Sequence, residues 1–281
     1  MNILIANVGN IRRNEIKVLV ETLNKKHNVT VASMATDSSY RGLSFTFQDT
    51  PIRANPVLYK EVIKNQENKK TNLPKYDGAM AYEFYSNPAD AISIMLSEIM
   101  ITKRPDIVIC GLSNGIHMGQ DIYCSSNIGM AMESVFFRVP SIAVAVERQV
   151  GGHSEESLMP AAKFIDKNIE KFAKMNLSGN TFLNINIPSV KVKGVKVTSM
   201  GRMNSLSTFQ QQTDHKGDPY YWANFVDRVN ASENDQSESA WFEKGYITIT
   251  PLSYDATDYE AMRHWDKKVL EKVRNESEDG Q

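Results

Sequence analysis

Cysteine is scarce: two residues in a chain of 281, Cys110 and Cys124, cannot build a disulfide framework, and a reducing compartment is the simplest setting. Long apolar runs are missing as well. Residues 3–6 fall far short of a secretory signal core, and the longest run elsewhere, 142–146, is strand-sized, whereas a membrane span needs about 20 residues. The expectation is a cytoplasmic protein with no membrane partner. An excess of either charge is missing: 32 Lys and Arg stand against 33 Asp and Glu. That balance argues against nucleic acid as a partner, because neutralising several phosphates takes clustered cations. No Gly-x-Gly-x-x-Gly follows the first apolar run and no Walker-type Gly-Lys-Ser/Thr occurs, which disfavours dinucleotide and P-loop chemistry. The loop after that run, Asn7-Val8-Gly9-Asn10, carries no acidic residue.

What is present reads as a globular α/β chain, with 41% apolar and 23% charged residues. The continuous apolar run over 2–7 has the signature of a strand buried on both faces. A helix over 14–26 and a strand over 29–32 complete a βαβ opening, hence a parallel sheet. Residues 33–76 are polar and broken by Pro51, Pro56 and Pro74, and read as loop. Beyond them the pattern predicts a helix over 90–101, a strand over 107–110, a long connection over 111–127 and a helix over 128–137. A strand over 141–146, a helix over 159–175 and a strand over 182–187 follow. After Pro188 the character changes. Half-buried strands are expected at 195–198 and 246–250, an extended arm at 210–222 and an exposed, mobile loop at 230–239. A closing helix is expected at 256–273 and a frayed tail at 276–281. The division is therefore 1–188, a Rossmann-like α/β domain, and 189–281, C-terminal strands, arm and closing helix packed on the same core.

In an open parallel sheet, ligands bind beyond the carboxyl ends of the strands, so the connections at 7–10, 33–44 and 111–127 carry the candidate chemistry. Asn7, Gly9 and Asn10 read either as a binding loop, with Gly9 letting a ligand approach the backbone, or as a plain connection. Ser125, Ser126 and Asn127 precede an expected helix and suit an anion or a structural cap equally. Cys124 has no identifiable base beside it and reads as a bystander thiol. His215 with Asp214 falls in the arm and reads as an oligomer contact. Met118, Met130 and Met132 read as core filler.

The motifs resemble those of one known family. Residues 105–115, Pro-Asp-Ile-Val-Ile-Cys-Gly-Leu-Ser-Asn-Gly, continue through Gly119, Asp121 and Ser125 to Ala131-Met132-Glu133. Together with Ser86-Asn87-Pro88-Ala89-Asp90, the strand 183–188 (Leu-Asn-Ile-Asn-Ile-Pro) and 245–252 (Gly-Tyr-Ile-Thr-Ile-Thr-Pro-Leu), they resemble the SurE family of metal-dependent 5′-nucleotidases. The resemblance implies a Rossmann-like fold with a largely parallel sheet flanked by helices. It also implies a C-terminal extended hairpin exchanged within a homodimer or homotetramer, and a divalent-metal (Mg²⁺ or Mn²⁺) phosphatase acting on nucleoside monophosphates. In that family both aspartates of an Asn-Asp-Asp-Gly loop, a serine after the second strand and an asparagine after the Ile107 strand hold the metal.

Carried over residue by residue, the aspartates fall on Val8 and Gly9, the serine on Ser39 and the asparagine on Ser113, with Asn114 next to it. The asparagine of a following Asn-Leu-Gly falls on His117, and Ser125-Ser126-Asn127 stands where the family has Ser-Gly-Thr. Neutral oxygens do not offset dehydration of a divalent ion, so no resident cofactor is expected unless the family chemistry persists. Asp37, Asp121 and His117 could rebuild a metal site from other directions, or be ordinary polar surface. Three readings follow: a hydrolase of the 5′-nucleotidase family with a rearranged site; a non-catalytic binder of a small phosphorylated or nucleotide-like ligand, or assembly protein; and an enzyme of different, metal-independent chemistry in the same cleft.

Overall fold

β1 (Asn2–Asn7) shows why its apolar run is unbroken. Ile3 and Ile5 pack into one hydrophobic cluster and Leu4 and Ala6 into another, and all four are fully buried. Alternate side chains of a strand leave opposite faces, so both faces of this one are covered. Burying each such Ile or Leu is worth about 1.5–3 kcal/mol over leaving it in water. The computed structural model describes residues 1–46, 51–58, 79–175, 179–201, 206–226 and 236–278.

Beyond β1 come α1 (Asn14–Leu23), β2 (Asn28–Met34), β3 (Arg53–Leu58), β4 (Met80–Tyr85) and α2 (Pro88–Ile94), which runs into a π turn at Met95–Ile99. The middle of the chain holds β5 (Ile107–Asn114), a 3₁₀ turn at Gly119–Tyr123, α3 (Ser126–Phe136), β6 (Ser141–Val146), α4 (Glu155–Lys174) and β7 (Thr181–Ile187). The C-terminal part holds β8 (Val195–Val197), β9 (Leu206–Thr213), β10 (Pro219–Val226), α5 (Glu238–Glu243), β11 (Ile247–Ser253) and α6 (Tyr259–Glu278). Among the described residues the main sheet has the order β3-β4-β2-β1-β5-β6-β7-β11-β8. The run from β4 to β7 is parallel throughout, whereas β3 pairs antiparallel with β4 and β11 antiparallel with β7. Helices α1 and α4 cover one face and α2 and α3 the other. The result is an α/β fold with a mixed, mostly parallel sheet flanked by helices.

Several expectations change. Within 33–76, read as loop, β3 forms an edge strand, where Pro56 is tolerated because one row of strand N–H groups has no neighbour to serve. The paired strand β4 escaped notice altogether. Residues 47–50 and 59–76 of that stretch lie outside the described residues. Helix α4 begins at Glu155 rather than 159, because the Ser154 hydroxyl accepts from Ser157 N and Glu155 and Glu156 fill the first turn. The extended arm is a two-stranded antiparallel hairpin, β9 with β10, separate from the main sheet. Of the polar segment read as an exposed loop, 230–235 lie outside the described residues, and Ser237, Glu238 and Ser239 are buried. The closing helix extends to Glu278, so the expected frayed tail is helical to that point, and 279–281 lie outside the described residues.

Candidate functional site at the ends of β1 and β5

Strand order turns outward in both directions from the β1–β5 pair, toward β2 and β4 on one side and β6 and β7 on the other. This is the switch point at which an open α/β sheet leaves a crevice beyond its strand ends. A cavity of about 880 Å³ lies there. Asn7 closes its floor: Nδ2 donates to Leu112 O at 3.0 Å, joining the ends of the two strands, while Oδ1 accepts from Gly9 N at 2.9 Å. The loop after β1 is thus shaped by its own asparagine.

The second wall is the 38–43 segment, strapped to α3. Ser126 Oγ donates to Ser38 O at 2.7 Å and accepts from Arg41 N at 2.9 Å. Gly129 permits the approach, since a Cβ there would lie 2.4 Å from Gly42 O. Ser125 Oγ caps α3 by accepting from Ile128 N at 3.3 Å. Both hydroxyls therefore serve the framework, and what remains for a ligand is the first-turn N–H groups ahead of Ile128, whose own N–H the Ser125 cap takes.

The third wall is the connection after β5. His117 is buried; its Nε2 lies 3.1 Å from Ser113 Oγ and its backbone is held by Asn184 and Asn186 of β7. Burial lowers the imidazole pKa to about 4, so the ring is neutral near pH 7. Asn114 Oδ1 accepts from Gln149 N at 3.1 Å. Burial acts to raise the Asp37 pKa, but hydrogen bonds from Ser39 and the neighbouring Arg13 guanidinium outweigh it and leave the carboxyl below its usual range.

Of the sequence candidates, Asn7, Ser39, Ser113, Asn114, His117, Ser125, Ser126 and Asn127 line this one cavity. Gly9 and Asn10 do not. Gly9 lies under the Arg13 side chain, and Asn10 is turned toward β4, with Nδ2 donating to Glu83 Oε1 at 3.1 Å. The sequence reading missed Arg13, Arg148 and Glu147, which also line the cavity, and the buried Glu238, which accepts from Gly119 N just behind it. A basic residue at the start of α1 was the available signal for Arg13.

The loop after β1 offers no carboxylate to a divalent ion. Val8 is buried in an apolar cluster, Gly9 offers no side chain, and a guanidinium occupies the space above it. Among the described residues no three His, Cys, Asp or Glu side chains converge as a metal-binding group, so Asp37, Asp121 and His117 do not assemble one. Cys124 is exposed, whereas Cys110 is buried, which pushes its thiol pKa up. Met130 is fully buried in the core and Met132 half-buried against it, whereas Met118, also buried, lines the cavity. Among the described residues no helix is long and apolar enough to cross a membrane.

Comparison with known proteins gives one consistent result. The family model for survival protein SurE matches residues 3–206. The 5′-nucleotidase SurE of Caldanaerobacter subterraneus subsp. tengcongensis is 31% identical over 266 residues, spanning 93% of this chain and 95% of the relative. That of Thermoanaerobacter pseudethanolicus is 30% identical over 275 residues, spanning 96% of this chain and 100% of the relative. The crystal structure of the SurE protein from Aquifex aeolicus superposes with a TM-score of 0.72 at 26% identity, covering 96% of this chain and 100% of that one.

Proposed function

The chain belongs to the survival protein SurE family, and from that premise we propose that its cleft receives a nucleoside monophosphate but has lost the family's metal-dependent phosphatase chemistry. The observation that carries this reading is the donor set at the switch point: no carboxylate stands on the loop after β1, and the Arg13 guanidinium lies over its Gly9. Hydrolysis assisted by a divalent ion needs that ion to neutralise developing charge and activate water. Removing a single preorganised donor from an enzyme site costs about 10²–10³ in kcat, and here the cation's carboxylate ligands are replaced by Val8 and Gly9. The cleft's volume of about 880 Å³ and its polar lining at the strand ends support binding.

The test is phosphate release from adenosine, guanosine and uridine monophosphates with Mn²⁺ or Mg²⁺, beside calorimetric titration of the same nucleotides in excess chelator. Binding without metal-stimulated release is expected. Robust turnover that the chelator abolishes would sink the proposal.

The same reading includes a cytoplasmic location, the division of the chain at Pro188 and a homodimer or homotetramer. What supports association is exposed aromatic surface. Phe209, Tyr221 and Trp222 of the β9–β10 hairpin are 68%, 60% and 59% exposed, and a two-stranded hairpin is marginal without a partner surface. Light scattering at micromolar concentration is expected to give a dimer or tetramer, and Trp222→Ser to shift it toward monomer. A wild-type chain that is strictly monomeric would refute this part.

A further inference from the structure

Arg13 breaks the local rules of the helix it begins. It is the N-cap of α1 and makes no side-chain cap bond, at a position that prefers Ser, Thr, Asp or Asn and where the helix dipole disfavours a cation. A residue that contradicts its local setting has its reason elsewhere. Its side chain folds back over the loop after β1. A Cβ built on Gly9 would lie 2.4 Å from Arg13 Nε and 2.5 Å from Cδ. Gly9 is not among the glycines with positive φ, so the backbone does not call for glycine there; the arginine does.

The outer end of the guanidinium is tethered. Nη2 donates to Asp37 Oδ2 at 2.5 Å, and Asp37 Oδ1 accepts from Ser39 N at 2.9 Å. Arg13 and Asp37 both line the cavity and are 40% and 48% exposed at the side chain, so the pair is open to a ligand. A guanidinium carries five N–H donors, and one fixed by a carboxylate leaves others in a rigid fork suited to an oxyanion.

Two residues of the cavity wall, 3% and 6% exposed, each carry a buried polar atom without a hydrogen-bond partner, Asn127 Oδ1 and His117 Nδ1. Asn127 is in the first turn of α3, whose leading N–H groups have no carbonyl within the helix. A half-turn of the Asn127 amide would present its NH₂ group at the same point. Buried polar atoms left unpaired are costly, and both belong to residues of the cavity wall, where a turn of either side chain would offer a partner to a polar ligand. Asp121, Glu147 and Glu243 share the lining, so the cleft is no general trap for anions and affinity must come from placed donors.

We propose that Arg13 is the anion-binding residue of this cleft: seated in the space left by Gly9 and tethered by Asp37, its guanidinium takes the phosphate of a phosphomonoester where a divalent metal would otherwise stand. This rests on the reading that a phosphomonoester enters the cleft.

The experiment is calorimetry in excess chelator at low salt, with adenosine monophosphate and inorganic phosphate as separate probes. The wild type binds the nucleotide; Arg13→Ala weakens binding by at least about tenfold, and Arg13→Lys weakens it less, keeping charge without the fork. Gly9→Asp weakens it by a similar factor with Arg13 in place, because the new carboxylate displaces and neutralises the guanidinium. Unchanged affinity in Arg13→Ala and Gly9→Asp, with the nucleotide still bound, overturns the role of Arg13 and leaves the nucleotide reading standing. Inorganic phosphate bound through Arg13 with no binding of the nucleotide keeps the role of Arg13 and overturns that reading. Binding of neither probe overturns both. Arg13 is partly exposed, so an unchanged melting temperature for Arg13→Ala certifies the fold.

Discussion

Glu238→Ala is expected to lower unfolding free energy by about 3–5 kcal/mol, among the largest effects of a single substitution outside the apolar core. Glu238 is fully buried in a segment whose composition reads as loop. Its Oε1 accepts from Gly119 N at 2.8 Å and Gly201 N at 3.3 Å, and its Oε2 from Thr250 Oγ1 at 3.0 Å and Asn184 Nδ2 at 3.4 Å. Burial pushes the carboxyl pKa up, and these hydrogen bonds oppose it without cancelling it. Truncation would leave donors from the connection after β5, the chain after β8, β7 and β11 facing one void. Each unsatisfied buried donor costs about 1–3 kcal/mol, so several together exceed a typical point substitution even after relaxation. Glu238→Gln keeps the shape but turns an NH₂ toward existing donors, and should lose about half as much. Urea unfolding of the three proteins measures the series. A loss below about 1 kcal/mol for alanine would mean that water enters and serves the donors. Because Gly119 follows His117 and Met118 in the wall of the cleft, the alanine variant should also bind nucleotide more weakly.

The stability of the fold should fall as pH drops from 6.5 to 4. His117 has a folded pKa of about 4 against 6.5 unfolded, because burial keeps its ring neutral. Above pH 6.5 both states hold the ring neutral and no penalty exists. Below it the unfolded chain takes up the proton and the folded one does not, so unfolding is favoured until pH 4, by about 3 kcal/mol in all. His27 and His153 are lowered by burial as well and add to the same slope. Glu238 and Glu133 act in the opposite sense. Burial raises their folded pKa values, so their contribution is fully present below about pH 4.5 and is lost as pH rises. The His117 share is therefore read as a difference: wild type minus His117→Gln, by urea unfolding at pH steps from 7 to 4. A difference that stays flat across that window would show that the imidazole is not kept neutral by burial.

Much of the sheet was legible. β5 and β6 read directly because both faces are covered and every position from Ile107 to Cys110 and from Ser141 to Val146 is buried. The edge pair β3 and β4 was not legible. Of β4 only Ala81 and Phe84 are buried, with no period-2 pattern, and its edge companion β3 contains Pro56. The segment at Glu238 misled for a related reason: composition reports the average fate of polar residues, whereas a carboxylate with four donors from distant segments is stable inside. At the cleft, most candidates came from the three strand-end connections, which topology must bring together. Asn10 came from the right loop but belongs to β4, because a side chain's direction is not a property of its sequence neighbours.

The sequence by itself determined the alternating α and β elements, the family and the absence of any carboxylate in Asn7-Val8-Gly9-Asn10, because these depend on local pattern and residue identity. Only the tertiary structure decided what fills that absence. Arg13 over Gly9 and against Asp37 depends on contacts across 4 and 24 positions of chain, and its meaning lies in shared space at a sheet's switch point, which no periodicity encodes.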